Sequence, residues 1–287
     1  MCKKLYDYRI NRAKLHKDDK ILVSWNALMI SALASAYSAF GEEKYLDAAK
    51  KAYQFIEKNL ADKNDRLMVR WRDGEAAGNG TIDDYAFYAW ALTEMYQVTF
   101  NIEYLNRACE ISKIMCDRFF DEESGGFYLY SDDGEQLISR PKELFDNAIP
   151  SGNSAAAYVL QKLFSLTAEN FWREKLDKQT SFLASESKAY SMGFSFSLYA
   201  MMNVLYSQEN LVCVSAESDI EKKILSYLQE HKKSDVDIII KTPKNASELE
   251  KLAPFTSEYP FPENGTMYYL CRNGVCLAPV NDIEDLF

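Results

Sequence analysis

EKYLDAAKKA at residues 43–52 and IEYLNRACEI at residues 102–111 are versions of one amphipathic helix, with Tyr45-Leu46 recurring as Tyr104-Leu105 at an offset of 59. NFWREKL at 170–176 repeats it again, setting Trp172 at 127 residues beyond Tyr45. Applied to Ser24-Trp25-Asn26, the same offsets land on Asp83-Asp84-Tyr85 and on Ser151-Gly152-Asn153. Each triplet opens a second, more apolar helix. In the first of these, Trp25, Leu28, Met29, Ala32, Leu33, Ala36, Tyr37 and Phe40 follow the i, i+3, i+4, i+7 spacing of a helix that buries a face.

Between these helix pairs, RLMVRWRDGEAAG (66–78) and FYLYSDDGEQLIS (127–139) alternate around Asp73-Gly74 and Asp133-Gly134. Asp-Gly between alternating runs predicts a β-hairpin, because both residues tolerate the positive φ that such a turn needs. The unit is therefore helix, helix, hairpin, and a fourth apolar helix over 192–206 has no second helix after it. Units of this kind bury their apolar faces only against neighbours. Apolar first helices alternating with amphipathic second ones predict an inner and an outer ring, a mainly α (α/α) toroid of helical hairpins. Seven helices are countable, short of the twelve in a six-hairpin ring, so the ring is expected to be incomplete in this chain.

After 208 the pattern changes. LVCVSA and VDIII read as strands, SDIEKKILSYLQEHKK and NASELEKLA as helices, and TMYYLC to CLAPV as a hairpin around Asn273-Gly274, which predicts a small α/β subdomain. The expected division is a lead-in segment at 1–20, the helical-hairpin region at 21–208 and the α/β subdomain at 209–287.

Composition limits the function. Lysine and arginine number 33 against 43 aspartates and glutamates, a net charge of −10, which argues against a nucleic-acid or anionic-membrane partner. Six scattered cysteines without a secretory leader point to a reduced, cytoplasmic protein. No apolar stretch is long enough to span a bilayer. With only His16 and His231, and without CxxC, HExxH or GxGxxG, neither a metal site, a cofactor nor a histidine-pair epimerase is expected.

If the first helices run parallel, the three triplets meet at one mouth together with the hairpins, and polar groups and aromatics converge on a concave surface. Ser24, Asp83 and Ser151 also suit plain helix capping. Trp25, Asn26, Asp83, Tyr85, Asn153 and the arginines Arg70 and Arg140 are the candidate substrate contacts, although an exposed arginine is often merely solvated. Glycoside hydrolysis needs a proton-donating carboxylic acid and a carboxylate acting as base or nucleophile. Asp84 and Asp146 are the candidate catalytic pair, with Asp83 as the capping partner; an Asx turn with Asn147 is the competing role for Asp146. Cys271 and Cys276 flank the last turn as a possible redox pair, or as two ordinary strand cysteines.

DDKILVSWNALMISALASAY (18–37), TIDDYAFYAWALTEMY (81–96), SGGFYLY (124–130) and RPKELFDNAIPSGNSAAAYVLQKL (140–163), in that order, resemble the helical portion of the thioredoxin-domain-containing DUF255 family of YyaL-like and spermatogenesis-associated protein 20-like proteins. The resemblance covers about 14–287 and implies a six-hairpin glycosidase-like region behind an N-terminal thioredoxin-like domain. The chain departs from that pattern in lacking everything upstream of the DDK segment, so a C-terminal portion or a truncated relative is expected. The implied partners are a carbohydrate or sugar-like small molecule and that upstream domain. The leading expectation is a carboxylate-dependent glycoside hydrolase-like module; the rival is a non-catalytic glycan- or protein-binding scaffold.

Overall fold

The computed structural model describes residues 1–12, 17–134, 138–206, 209–217, 219–231, 236–272 and 275–286. His16 and the Asn273-Gly274 turn lie outside them. Helix α1 (Cys2–Ile10) is exposed along its whole length. Strand β1 (Ile21–Leu22) leads into α2 (Val23–Phe40) and α3 (Glu43–Asn59), followed by β2 (Met68–Arg72) and β3 (Glu75–Asn79). Next come α4 (Ile82–Thr99), α5 (Ile102–Phe119), α6 (Gly152–Thr167), α7 (Asn170–Glu186) and, after a 3-10 turn, α8 (Ser195–Leu205).

The repeat becomes two layers. Helices α2, α4, α6 and α8 pack side by side in that order, while α3, α5 and α7 lie behind α2, α4 and α6. Helices α4 and α6 have neighbours on both sides and are buried almost all round. Helices α2 and α8 end the arc, so the residues on their open sides stay in solvent: Trp25 is 65% exposed, Met29 57% and Met202 52%. The face that α2 buries is therefore shifted from the one its apolar spacing marked: Val23, Ala27, Ile30 and Ala34 enter the core, Leu28, Leu33 and Tyr37 are partly buried, and Trp25, Met29, Ala32 and Phe40 are exposed. The result is an open arc of an (α/α) toroid.

Strands β2 and β3 form the expected hairpin, with Asp73 at φ 53° and Gly74 at φ 84°, and β1 extends it by pairing Leu22 with Arg70. The second Asp-Gly behaves differently. No strand flanks Asp133 among the described residues; Leu129 instead uses its backbone to accept from the Ile82 N–H and to donate to the Pro141 carbonyl. Those bonds hold the start of α4 against the following loop, and Asp133 is drawn to Arg66 and Arg118.

The remainder is built on β4 (Glu209–Ser215), α9 (Ile220–His231), β5 (Val236–Lys241), α10 (Ala246–Leu252), β6 (Thr266–Arg272) and β7 (Val275–Cys276), in a sheet ordered β5-β4-β6-β7. Strands β4 and β5 are parallel and β6 is antiparallel to β4. Both faces are covered, which explains the continuous apolar runs. Val212, Val214 and Ile239 pack into the helical core, whereas Leu211, Cys213, Ile238 and Ile240 pack with α9 and Ile283. Gln97 of α4 locks the sheet to the arc: its amide oxygen accepts from the Ile238 N–H at 3.1 Å and its amide nitrogen donates to the Ile238 carbonyl at 3.1 Å.

Candidate functional site

At the N-terminal end of the inner helices most of the expected contacts are occupied internally. Helix α4 starts with Thr81 as its cap, and Asp84, three residues on, closes a reciprocal capping box. The Asp84 carboxylate accepts from the Thr81 N–H at 2.9 Å, the Thr81 hydroxyl at 3.1 Å and the Ser24 N–H at 3.1 Å, and is 2% exposed. Burial pushes its pKa up, and the Thr81 and Ser24 hydrogen bonds oppose that shift. The expected division between the two aspartates is thus reversed, because the helix begins two residues earlier than a cap at Asp83 requires. Ser24 likewise falls inside α2, whose cap is Leu22, whereas Ser151 does cap α6 and accepts from the Ser154 N–H.

Asp146 is committed too. One oxygen accepts from the Ser151 N–H at 2.9 Å and from the Ser154 hydroxyl, and the other from the Phe196 and Ser197 N–H groups at 2.8 and 3.2 Å. It joins the N-termini of α6 and α8, in place of an Asx turn with Asn147. Asn153, fully buried, clamps the loop ahead of α6 by donating to the Phe127 and Glu143 carbonyls and accepting from the Phe127 N–H. The buried Tyr85 hydroxyl accepts from the Leu67 N–H. Asn26 donates to the Leu22 carbonyl, and Arg140 donates to the Tyr130 and Arg118 carbonyls while covering the Tyr128 ring. Arg70 sits half-buried on β2, and Trp25 projects from the edge of the arc. Of the three aspartates expected here, Asp83 is the one left with an unsatisfied oxygen among the described residues. Its Oδ1 is buried without a hydrogen-bond partner among the described residues, and its pKa is pushed up to about 6 by burial, then by Asp84 and Glu143.

The cleft lies further down the concave side. A cavity of about 330 Å³ opens between the inner helices, lined by Ser35, Ser38, Glu94, Gln97, Tyr158 and Lys162. Its floor is the α/β subdomain, through Gln229 of α9 and Val236 and Ile238 of β5. Glu94 accepts from the Trp90 indole N–H at 3.0 Å and the Tyr158 hydroxyl at 3.3 Å. Lys162 pairs with Asp237, which is 1% exposed. Burial alone would lower the lysine pKa, but Asp237 outweighs it and holds the ammonium charged well above the ordinary range. Tyr158 continues into an aromatic wall: Trp90 stacks on Phe196 at 5.1 Å, and Tyr158 on Tyr199 at 6.2 Å.

None of these residues stood out from type or motif, yet the repeat contains them. Ser35, Glu94 and Lys162 are related by the same offsets of 59 and 127 that align the triplets, as are Ser31, Trp90 and Tyr158. Following the register three turns along each inner helix leads from the caps to the cleft.

Cys271 and Cys276 face each other across β6 and β7 with Cα atoms 3.8 Å apart and are joined as a disulfide, while Cys2, Cys109, Cys116 and Cys213 are free. His231 stacks on Tyr227 in α9. Among the described residues no cluster of three or more His, Cys, Asp or Glu could hold a metal ion, and no helix is long and apolar enough to cross a membrane.

No protein-family model matches the chain. Spermatogenesis-associated protein 20 of Rattus norvegicus is 27% identical over 97% of the chain, the human protein is 26% identical over 97%, and an uncharacterized protein of Caenorhabditis elegans is 28% identical over 98%. The chain spans only 37% of the length of the two former and 39% of the latter. Among solved structures, cellobiose 2-epimerase from Bacillus thermoamylovorans aligns with 92% of the chain and 67% of its own at 16% identity and a TM-score of 0.52. A glycoside hydrolase family 76 mannosidase from Bacteroides thetaiotaomicron aligns with 65% of the chain and 55% of its own at 14% identity and a TM-score of 0.53. Over nearly its whole length the chain is similar to the spermatogenesis-associated protein 20 proteins, and it shares the (α/α) toroid fold of these sugar-epimerase and glycoside-hydrolase structures.

Proposed function

We propose that the chain is a carbohydrate-binding module that holds its sugar in the cleft between α4 and α6. The observation that carries this reading is the Tyr158 ring lining the cavity beside Glu94, Gln97 and Lys162, with the aromatic cluster of Trp90, Phe196 and Tyr199 packed next to it. Aromatic faces match the C–H faces of a pyranose, and a few directional polar groups fix its hydroxyls. The cavity is in the size range of small-ligand sites. Binding is favoured over hydrolysis through Asp84 and Asp146, because both carboxylates would have to abandon backbone N–H groups at helix starts before they could exchange protons with a substrate. A thioredoxin-like domain of the longer protein and a cytoplasmic setting remain part of this proposal.

The test is a thermal-shift and calorimetric screen of free sugars and glycosides on the whole chain, since a ligand that binds only the folded state raises Tm. A sugar that binds, and loses at least tenfold in affinity in Tyr158→Ala, supports the reading; unaltered affinity in that variant removes the cleft. One observation favours a second reading, hydrolysis with Asp83 as proton donor: its carboxyl is pushed up to about 6, within the range of a general acid near neutrality. Glycoside turnover by the chain that survives Asp83→Asn would exclude it.

A further inference from the structure

Among the described residues of the cleft the charges do not balance: two carboxylates, Glu94 and Asp237, stand beside one ammonium, that of Lys162, which is drawn to both. The Asp237 Oδ2 is buried without a hydrogen-bond partner among the described residues, and the Glu94 Oε1 receives only neutral donors, the Trp90 indole and the Tyr158 hydroxyl. An excess of acids in a half-enclosed cleft attracts a cation, and the low polarity around the buried Asp237 strengthens that attraction. The adjoining ring already accepts a cation, since the Lys162 ammonium lies 5.6 Å from the Tyr158 centroid. The surrounding protein, at −10 overall, adds a field of the same sign.

We propose that the cleft selects an amino sugar with a free ammonium group, seating the pyranose on the aromatic wall and the ammonium at Glu94; this rests on the carbohydrate-binding reading above. Such a ligand satisfies both features of the site, because its ring lies against Tyr158 in the cavity and its charge adds a cation beside Glu94. An N-acylated sugar keeps the ring but loses the charge, and a simple quaternary ammonium keeps the charge but loses the ring.

The experiment is calorimetric titration of the whole chain with glucosamine, N-acetylglucosamine, glucose and tetramethylammonium at mildly acidic pH, in low and in high salt. Glucosamine is expected to bind about tenfold more tightly than glucose or N-acetylglucosamine, the size of one partly screened charge contact. That advantage should shrink in high salt and disappear in Glu94→Gln. Glucose or N-acetylglucosamine binding as well as glucosamine overturns the ammonium while leaving sugar binding intact. Tetramethylammonium binding as tightly as glucosamine overturns the sugar. Heat from none of the four overturns both this proposal and the reading beneath it. If Glu94→Gln does not fold, the salt series decides, and a preference independent of salt overturns the charge argument.

Discussion

At Asp83 the folded chain binds a proton more tightly than the unfolded one, because the carboxyl is pushed up to about 6 from an ordinary 3.8. Below about pH 4 both states are protonated and burial of this group costs little. As pH rises towards 6 the folded state must accept a half-buried carboxylate, so stability falls across that window and stays lower above it. Asp83→Asn is therefore expected to match the wild-type Tm below about pH 4 and to exceed it near pH 7, a gain in unfolding free energy of about 3 kcal/mol at most. Paired thermal melts across that range check this, and a constant difference at every pH would show that Asp83 carries no buried-charge penalty. Asp84 is its opposite in role. Asp84→Ala removes the capping box and the link to the Ser24 N–H, with an expected loss of about 2–3 kcal/mol in denaturant unfolding. Asp83 and Asp84 are both acids at a helix start, so residue type does not separate them. Their difference is a rotation of about 100° around α4, which points one at α2 and leaves the other against α6.

Elements in this chain meet at their ends. Gly152, the first residue of α6, is a glycine because a Cβ there would lie 2.5 Å from the Asp83 Oδ1 and 2.8 Å from the Ile82 Cγ2. Gly152→Ala is expected to push α4 and α6 apart and to cost about 1–3 kcal/mol by chemical denaturation. The β2–β3 hairpin was legible from Asp73-Gly74 because the turn and the alternation on both sides agree. The same dipeptide at Asp133-Gly134 misled, because Leu129 and Asp133 find partners on other elements that a local pattern cannot include. At the sheet edge, direct pairing of Cys271 with Cys276 predicts four reactive thiols in the denatured, unreduced chain and six after reduction. A count of six before reduction would dispose of the bond.

For the molecule as a whole, the joint between arc and subdomain closes the cleft. Gln97→Ala removes both hydrogen bonds to Ile238 and is expected to speed hydrogen exchange in β5 and to weaken any ligand of the cleft, with smaller effects in α5 and α7. Unchanged exchange in β5 would mean that apolar contacts alone hold the floor. The open sides of α2 and α8 carry exposed Trp25, Met29, Leu198 and Met202 and no charged residue along either helix. Surfaces of that kind associate, so a charge placed there, as in Met29→Glu, should lower any concentration-dependent growth in mass seen by light scattering.

By itself the sequence determined the helical hairpins, their order, the two layers and the change of class after residue 208, because each is written in local periodicity repeated at fixed offsets. It also held the register that aligns Ser35, Glu94 and Lys162. Only the tertiary structure decided what those registers face. Whether an acid at a helix start is a cap or a free carboxyl depends on a neighbouring helix about 60 residues away, as the bond from Ser24 to Asp84 shows. Whether the far end of the arc is open or floored depends on a strand more than 100 residues further along, which hydrogen-bonds to Gln97. Periodicity reports which face of a helix is apolar, and packing assigns that face to core, cleft or edge.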